Sequence, residues 1–532
     1  MKDTYNIALI PGDGIGPEIV AEARAVLDLV GKRRGYSFDY KLAEMGGVAY
    51  DSATASMAEG EKKAIESWDD EAKRALTLPQ KSLDVMDWAR DSGGAVLFGS
   101  VGRPDLPKRT AELALLAMRA RYSVVNNRPF IIDPSLAHNS ILFREAVNIK
   151  GFEVLSPPES LFGGSVRSGR GWHSTEKRFT RSALERCVKD AFELALKSGR
   201  RIMCTSKYNV LQSEKMLSDV FEDYLGEYHS KVEPNPYTIA DSKGKPTGQL
   251  IIDNAAMQIA ANPERYADTV VVADAMFGEF LMAIVAAVAK GADQSSPSIE
   301  GIKREGIKRT FIRELCSGLY FGESAFDADC AFDTFHYGAE TIEDLASVAN
   351  RLNSRLGLST VDSLEVDGIP TFDYWAKVLE DDAKAKGYSL RHMKLREGVE
   401  MLLGDPAQLG TIVATNMMGD LYTDLAAAVV GKSLGMMPSS AVNADGFGIY
   451  EQIAGSAPDI AGKGLANPIA EIRSAAMMLE DLGDPEAAQL VESAIQKAIS
   501  TARTADIWEE GMRSVSTSQM GELIRSCIEE EA

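Results

Sequence analysis

The sequence is poor in cysteine and histidine and has no excess of basic residues. It contains five of each among 532 residues, and the cysteines show no CxxC or other paired spacing. A disulfide framework or a zinc site is therefore not expected, and we expect the protein to lie in a reducing cytoplasm. The net charge is −21 and the pI is near 4.9. Nucleic acid and anionic membranes, which need a basic face, are thus not expected partners.

The chain also lacks a long uninterrupted hydrophobic run. The most apolar stretch, VVVADAMFGEFLMAIVAAVA, is interrupted by Asp274 and Glu279, which favours a strand and a buried helix over a membrane span. The start, MKDTYNIALIPGDG, runs from polar residues into a strand and does not resemble a signal peptide. With 45% hydrophobic and 25% charged residues, the chain is expected to form two or three globular domains.

Short β-rich runs alternate with amphipathic helical stretches. NIALI precedes GPEIVAEARAVLDLV, and GAVLFG precedes AELALLAMRAR. This alternation is typical of an α/β fold. Segments 238–248 and 290–301 read as linkers, and an acidic, helix-prone insert occupies about 57–92.

The chain repeats itself. DNAAMQIAANP at 253–263 resembles REGVEMLLGDP at 396–406 in its apolar pattern, but its polar residues differ. Three further pairs of segments resemble each other, and all four pairs occur in the same order along the chain. They are SLFGG with LYFGE, CTSKYNV with TVDSLEV, and VVVADAMFGEFLMAIVAAVAKG with TIVATNMMGDLYTDLAAAVVGK. Four ordered matches favour a duplicated domain over shared α/β patterning.

Taken singly, the candidate motifs are ambiguous. PGDGIGPE (11–18) predicts a structural turn at a helix start and is not the GxGxxG fingerprint. The Gly-rich stretch 455–472 suits either a cofactor loop or a plain connection. Asp420 and Asp424 are four residues apart and share one helix face. This spacing suits either a pair of ligands for Mg²⁺ or Mn²⁺ or an acidic helix face exposed to solvent. Lys207 alone reads as a solvated strand end.

Together, these stretches resemble the β-decarboxylating dehydrogenases, the family of isopropylmalate and isocitrate dehydrogenases. The matching stretches are IALIPGDGIGPEIV, AVLFGSVG, RELCSGLYFGE, SKYNV, DNAAMQ, NMMGDLYTDL, SLGMMPSS, GSAPDIAGKGLANPIA, RTADI and MGELI. Each is weak alone, but they span nearly the whole chain apart from the additional module.

The resemblance implies a role for each matching residue. Lys207 is the implied base that deprotonates the substrate hydroxyl, and Tyr320 acts in protonating the enol. A divalent cation, Mg²⁺ or Mn²⁺, is implied at Asp253, Asp420 and Asp424. Substrate carboxylates are implied to bind Arg119, Arg128 and Arg313, with Asn209 supporting the Lys207 region. NAD is implied to bind Gly455, Ser456, Ala457, Asp459, Asn467 and Asp506.

In this family each active site is shared between two subunits, and here the two copies have kept opposite halves of it. Copy one keeps Lys207, Asn209 and Asp253 but has Leu161, Glu279 and Ala283 at the positions of Tyr320, Asp420 and Asp424. Copy two keeps Tyr320, Asp420 and Asp424 together with Arg313. At the positions of Lys207, Asn209 and Asp253 it has Ser363, Glu365 and Arg396. We therefore expect an intrachain pseudodimer with one complete site.

The resemblance implies an α/β isopropylmalate/isocitrate dehydrogenase-like fold, with one large domain and two tandem small domains. We predict a large cofactor-binding domain from 1–128 and 431–532, small-domain copy one at 129–297 and copy two at 298–430. The protein would be a monomer, because its pseudodimer fills the partner surface, or a homodimer.

Glu112, Leu115 and Leu116 match the isopropylmalate pattern, in which an apolar wall accepts an alkyl group. A 3-substituted malate, 3-isopropylmalate above all, is the expected substrate, and Asp459 favours NAD over NADP. Two departures from the family are visible: the Arg119–Arg128 spacing is one residue short, and Ala454 replaces a usual His. Isocitrate or homoisocitrate oxidation and a non-catalytic or regulatory role remain alternatives.

Overall fold

The computed structural model describes residues 2–107, 110–157, 161–162, 171–431, 433–443 and 445–531. For residues 112, 137–139 and 161–162 it describes the backbone only. The chain divides into unit 1, Met1–Ser135 with Ser433–Ala532, and unit 2, Leu136–Lys432. The domain boundaries given above stay predictions. Across these described ranges, no helix is both long enough and apolar enough to cross a membrane.

The strands follow the predicted alternation with helices. They are β1 (Thr4–Gly12), β2 (Ser37–Leu42), β3 (Ala95–Ser100), β4 (Val125–Ile132), β5 (Glu153–Leu155), β6 (Leu161–Phe162), β7 (Trp172–Thr180), β8 (Arg201–Ser206), β9 (Gln249–Ile251), β10 (Thr269–Val272), β11 (Ile307–Arg313), β12 (Ser324–Phe326), β13 (Cys330–Gly338), β14 (Thr360–Glu365), β15 (Ser389–Lys394), β16 (Thr411–Ala414), β17 (Pro438–Val442), β18 (Gly448–Gln452), β19 (Ala502–Arg503) and β20 (Arg513–Ser514).

The α-helices are α1 (Gly16–Arg34), α2 (Gly47–Thr54), α3 (Glu59–Ala64), α4 (Asp70–Thr77), α5 (Gln80–Asp91), α6 (Thr110–Tyr122), α7 (Arg181–Ser198), α8 (Gln212–Tyr228), α9 (Ile252–Ala261), α10 (Ala275–Lys290), α11 (Pro297–Glu305), α12 (Ala339–Arg355), α13 (Pro370–Lys386), α14 (Leu395–Gly404), α15 (Asn416–Val429), α16 (Ile469–Asp481), α17 (Pro485–Ile499) and α18 (Thr517–Glu530).

Unit 1 contains a twisted sheet covered by helices. Its strands lie in the order β4-β17-β18-β3-β1-β2. β17 runs antiparallel to both of its neighbours, and the remaining pairs are parallel. β3 is buried along its whole length, as expected for a parallel strand with both faces covered.

The PGDGIGPE stretch forms a structural turn, as its sequence predicts. A Cβ on Gly12 would lie 2.0 Å from the carbonyl oxygen of Ser100, and Gly12 has φ +69°, so glycine is required there. The buried Asp13 carboxylate accepts hydrogen bonds from the amides of Gly47 (2.8 Å) and Gly102 (2.9 Å). Asp13 therefore holds together the segments that follow three neighbouring strands.

Unit 2 contains two groups of four parallel strands with the same topology. One has the strand order β5-β10-β8-β9, and the other has β11-β16-β14-β15. Each strand of the first group has its counterpart at the same place in the second. The duplication predicted from four short sequence matches is thus present in the fold.

The two copies are joined by an antiparallel sheet, β12-β13-β7-β6. Glu176 in the middle of β7 faces Thr334 in the middle of β13, and the pairing extends to both ends of both strands. The two strands also have the same alternation of buried and exposed residues. Asp333 of β13 accepts hydrogen bonds from the amides of Gln212 (2.9 Å) and Ser213 (2.8 Å), so copy two caps a helix of copy one.

Four helices from the two copies pack together beneath this sheet. α9 of copy one packs on α15 of copy two, and α10 packs on α14. Corresponding side chains cap two of these helices: Asp274 accepts from the amide of Phe277 (2.6 Å) and Thr415 from that of Met418 (3.4 Å). This packing places α9 next to α15. Each helix carries part of the set of site residues that its own copy has kept.

The two copies differ in a buried contact between a strand and a helix. In copy one, the ammonium group of Lys177 is fully buried between the carboxylates of Glu214 and Asp274. Burial alone would lower the pKa of Lys177, but the two carboxylates raise it above its ordinary value. In copy two, the matching strand and helix positions hold Phe335 and Phe372, whose rings lie 5.9 Å apart edge to face.

Candidate functional site

Lys207 lies at the centre of a charged cluster in unit 2. It directly follows β8, whose buried residues hold it in place, and its own side chain is 5% exposed. Its Nζ donates to Asp253 Oδ2 at 2.6 Å and to Asp420 Oδ2 at 2.7 Å. Asp253 belongs to the first turn of α9 in copy one, and Asp420 to α15 in copy two. The fold therefore brings the predicted halves together at Lys207.

Arg313 and Tyr320 approach the same carboxylate from copy two. Arg313 ends β11 and donates its Nη1 to Asp420 Oδ1. Tyr320 donates its hydroxyl to Asp420 Oδ2 at 3.2 Å, and the ammonium of Lys207 lies 5.6 Å from the centre of its ring. Asp420 thus contacts three of the residues to which the family resemblance assigns a role.

Sequence reasoning did not single out Asn416, which is 2% exposed. Its Oδ1 accepts from Arg313 Nη2 at 2.7 Å and from Arg313 Nε at 3.1 Å. Its main-chain amide donates to the hydroxyl of Tyr337 at 2.9 Å. The signal was within the quoted NMMGDLYTDL stretch, because the corresponding residue of copy one is Ala275.

The pKa values in this cluster reflect burial and close charges. Burial opposes the charge of Lys207, but Asp420, Tyr320 and Asp253 outweigh it and hold its pKa well above the ordinary value. Burial raises the pKa of Tyr320, and Lys207 partly offsets this effect. In this arrangement Tyr320 is therefore a hydroxyl donor at neutral pH.

The carboxylates suit a hard divalent cation. Asp253 Oδ1 is buried and has no hydrogen-bond partner among the described residues, and an unsatisfied carboxylate oxygen is costly unless something positive reaches it. Asp424 lies one turn beyond Asp420 on α15 and is partly buried. Within the described ranges, no three His, Cys, Asp or Glu side chains form a ready-made metal cluster. Lys207 lies between Asp253 and Asp420.

The corresponding position formed by the other halves is chemically different. The strand registers correct the sequence alignment of this segment by three residues: Ser206 pairs with Ile251 and Glu365 with Lys394, so Val366, and not Ser363, stands at the position of Lys207. Ser363, inside β14, accepts from Trp375 Nε1 (3.1 Å) and donates to Glu365 Oε1 (3.0 Å). Glu365 also accepts from Lys394 Nζ at 3.2 Å. Glu279 and Arg396, the counterparts of Asp420 and Asp253, are exposed. The side chain of Leu161 and most of segment 160–164 lie outside the described residues.

Unit 1 carries the other predicted substrate residues. Arg119, in the last turn of α6, pairs with the buried Glu451 at 3.0 Å, while its buried Nε has no hydrogen-bond partner in the described part of the chain. Leu115 and Leu116 are partly exposed on the same helix, and Arg128 is buried in β4. The side chain of Glu112 lies outside the described residues. Asn209, in unit 2, is exposed in the turn that follows Lys207.

The predicted cofactor loop is held by hydrogen bonds at both ends. The amide of Ile15 donates to the carbonyl of Ser456 at 2.9 Å, and Ala457 adopts a left-handed φ of +40°. A Cβ on Gly455 would meet nothing within 4 Å, so this backbone faces open space. At the other end Asn467 Nδ2 donates to Asp506 Oδ2 at 2.9 Å. Asp459 is exposed. A Gly-rich loop of this kind lets a ligand approach the backbone closely.

Comparison with known proteins identifies the family. The profile of the isocitrate/isopropylmalate dehydrogenase family matches residues 6–300 and again 286–524. The 3-isopropylmalate dehydrogenase of Aliivibrio fischeri is 38% identical over 254 residues, which are 46% of this chain and 69% of that protein. That of Clostridium acetobutylicum is 38% identical over 239 residues, 43% of this chain and 66% of that protein. The aligned region thus spans about two thirds of each relative.

Solved structures show the same fold. The isocitrate dehydrogenase of Methylococcus capsulatus is 18% identical, with a TM-score of 0.54, and the match covers 98% of this chain and 99% of that one. A β-decarboxylating dehydrogenase from Thermococcus kodakarensis is 20% identical, with a TM-score of 0.53, covering 99% and 96%. The double profile match and the duplicated strand groups lead to one conclusion: the chain belongs to the isocitrate/isopropylmalate dehydrogenase family and carries its small domain twice.

Proposed function

We propose that the protein is an NAD- and metal-dependent dehydrogenase that oxidatively decarboxylates a 3-substituted malate, with 3-isopropylmalate as the favoured substrate. The observation that carries the proposal is the position of Lys207 between Asp253 of copy one and Asp420 of copy two, at 2.6 and 2.7 Å. A base and two hard oxygen ligands are assembled there from halves that are each incomplete. Loss of a redundant copy by drift would not be expected to spare complementary sets.

Asp253, Asp420 and Asp424 would hold Mg²⁺ or Mn²⁺. The unpaired, buried Asp253 Oδ1 supports this assignment, since it presents a free carboxylate oxygen at the cluster. A divalent cation bound there would polarise the substrate hydroxyl and stabilise the enolate that decarboxylation leaves.

The reaction steps are assigned to the chain's own side chains. In the structure Lys207 is an ammonium that donates to Asp253 and Asp420. Once these contacts are released and it has lost a proton to solvent, its neutral amine takes the proton of the substrate hydroxyl as NAD accepts the hydride, and the resulting β-keto acid loses CO₂. Tyr320 donates its hydroxyl proton to the enol; its raised pKa means that this proton is on the hydroxyl at neutral pH. Arg313 binds a substrate carboxylate through the planar guanidinium that Asn416 orients.

Arg119 and Arg128 would bind further carboxylate oxygens of the same substrate. The buried, unpaired Nε of Arg119 supports its part in this assignment. Leu115 and Leu116 would form the apolar wall for the alkyl group, with Glu112 beside them on the same helix. Asn209 would support the Lys207 region.

NAD would bind the loop that carries Gly455, Ser456 and Ala457, with Asn467 and Asp506 at its far end. The open space at Gly455 supports close approach of the cofactor to the backbone. Asp459 would accept hydrogen bonds from the ribose hydroxyls and repel the 2′-phosphate of NADP. We place the enzyme in the cytoplasm, which its five free cysteines support, as a monomer or homodimer.

The test is NADH formation by the purified protein with Mg²⁺ or Mn²⁺, followed by absorbance. 3-Isopropylmalate, isocitrate, homoisocitrate, D-malate and tartrate are offered separately, with NAD and then with NADP. Turnover of 3-isopropylmalate with NAD above all others is the expected result. Preference for isocitrate would refute the apolar-wall assignment of Leu115 and Leu116. Binding of NAD without turnover of any of these malates would refute the proposed activity.

A further inference from the structure

A cavity of about 250 Å³ opens at the far end of the four-helix group in unit 2. It lies where α9, α10 and α14 end, and its walls include Ala260, Ala287, Val288 and Leu403. The side chains of Ala260, Ala287 and Leu403 are buried. None of these residues belongs to the site described above. Pockets for drug-sized ligands measure about 300–1,000 Å³, so this cavity suits a smaller molecule with an apolar body.

The rim of the cavity carries charges of both signs. Arg144 donates Nη1 to the last carbonyl of α9, that of Ala261, at 2.6 Å. Within the described part of the chain, its Nε and Nη2 have no hydrogen-bond partner. Burial lowers the pKa of Arg144, and the nearby Glu264 opposes that effect, so the guanidinium stays charged. Its remaining donors can receive a planar anion such as a carboxylate.

The negative side of the rim is larger. Glu145 and Glu264 line the opening and are exposed. The last carbonyls of a helix lack amide partners and carry partial negative charge, and three helix ends meet at this place. A free anion would be repelled by these groups, whereas a ligand that also carries an ammonium group would be attracted.

Copy two provides an internal comparison. The short 3₁₀ turn Pro406–Gln408 corresponds to Pro263–Tyr266 at the cavity. There α11 packs against the turn, and Ser298 Oγ donates to Asp405 Oδ2 at 2.6 Å. Ile299 and Ile302 of α11 are buried. An element of the chain covers this position in copy two, whereas copy one has the cavity.

We propose that this cavity binds a small aliphatic α-amino acid. The carboxylate binds the free donors of Arg144, and the ammonium group lies near Glu264 and the helix-terminal carbonyls. The alkyl side chain packs against Val288 and Leu403. Removal of either charged group from the ligand leaves one side of the rim unmatched.

The site is placed to influence the catalytic cluster. α9 begins next to Asp253 and ends at Ala261, about 12 Å further along its axis at 1.5 Å per residue. A ligand that displaces the end of this rigid helix also displaces Asp253. This regulatory consequence rests on the proposed function, whereas binding itself does not.

The first experiment is isothermal titration calorimetry of the full chain, without NAD or substrate, so its outcome is independent of catalysis. The ligands are leucine and valine, with 4-methylpentanoate (no amine) and 3-methylbutylamine (no carboxylate) as truncated analogues. We expect one of the amino acids to bind at least tenfold more tightly than both analogues. Absence of binding by leucine and valine at millimolar concentration, or equal binding of either analogue, would overturn the proposal.

Variants then test the rim. Arg144→Met and the exposed Glu264→Gln should each weaken amino-acid binding at least tenfold, whereas Ser298→Ala, at the covered position in copy two, should leave it unchanged. If Arg144→Met destabilises the fold, the amino-acid affinity of Glu264→Gln alone tests the proposal. Unchanged binding in Glu264→Gln contradicts the assignment of the ammonium group. A Mg²⁺ titration with and without the amino acid should show at least a threefold change in metal affinity, and an unchanged affinity refutes the coupling through α9.

Discussion

Replacement of Asn416 by alanine tests the substrate-binding half of the proposal most directly. The change removes the acceptor of two hydrogen bonds from Arg313, at 2.7 and 3.1 Å, in a buried place. Hydrogen bonds to charged groups contribute about 1.5–3 kcal/mol, which corresponds to about 10- to 150-fold in an equilibrium constant. We expect kcat/KM for the malate to fall by about this factor.

The loss should appear mainly in KM. Arg313 binds a carboxylate that is present in the ground state and in the transition state, so its misplacement weakens both equally. Asn416→Asp keeps an acceptor oxygen and should restore much of the affinity. Ala275→Asn, the reverse change at the matching exposed position of copy one, should have no effect.

Initial rates at varied malate concentration, followed as NADH absorbance, give kcat and KM separately. Urea unfolding of the same variants separates a loss of folded protein from a loss of binding. A kcat/KM of Asn416→Ala within twofold of the parent would refute the role of Asn416 in orienting Arg313. An effect confined to kcat, with KM unchanged, would also refute that role.

Three further predictions concern the same unit. Lys207→Ala should lower kcat by ~10²-fold or more, whereas Val366→Ala, at the position that the strand registers match to Lys207, should not change it, as initial rates will show. Calorimetry should find one Mg²⁺ or Mn²⁺ site per chain, and two equal sites would contradict the complementary halves. Asp253→Asn should weaken the metal affinity at least ~10-fold, since even outer-shell partners contribute that much. Glu279→Gln, at the counterpart of Asp420, should leave the affinity unchanged. Burial raises the pKa of Glu314 to about 7, from 4.5. The folded state therefore holds the Glu314 proton more tightly, so stability from this group is greatest at acidic pH and falls by about 3 kcal/mol as pH rises from 4.5 to 7. Other buried carboxyls such as Glu214 also have raised pKa values, so the measurement is the difference in unfolding free energy between the parent and Glu314→Gln, which should change by this amount across that range.

Much of the architecture could be predicted from local patterns. Alternating strands and helices, the turn at PGDGIGPE and four ordered repeat segments predicted a duplicated α/β fold, and the two strand groups of identical order confirm it. Such features depend on period, turn chemistry and capping, which act over a few residues. It was the family resemblance, and not these local patterns, that implied one site for Lys207, Asp253 and Asp420, whose side chains lie within hydrogen-bond distance in the structure.

Other features could not be predicted, because they depend on which distant segments meet. Asn416 was overlooked because an Asn in the first turn of a helix is ordinary until Arg313, from another strand, is found beside it. The buried Lys177 reads in the sequence as a solvated strand residue, and its partners come from two different helices.

The sequence by itself determined the fold class, the duplication and the fact that each copy lacks what the other keeps, since residue identities at matched positions need no coordinates. Only the tertiary structure decided that the halves meet: β7 pairs with β13, and α9 packs on α15. It also decided that Lys207 bridges both copies and that one end of the helix group is left open. The reason is physical, because a hydrogen bond forms only within about 3 Å, and packing between remote segments sets that distance.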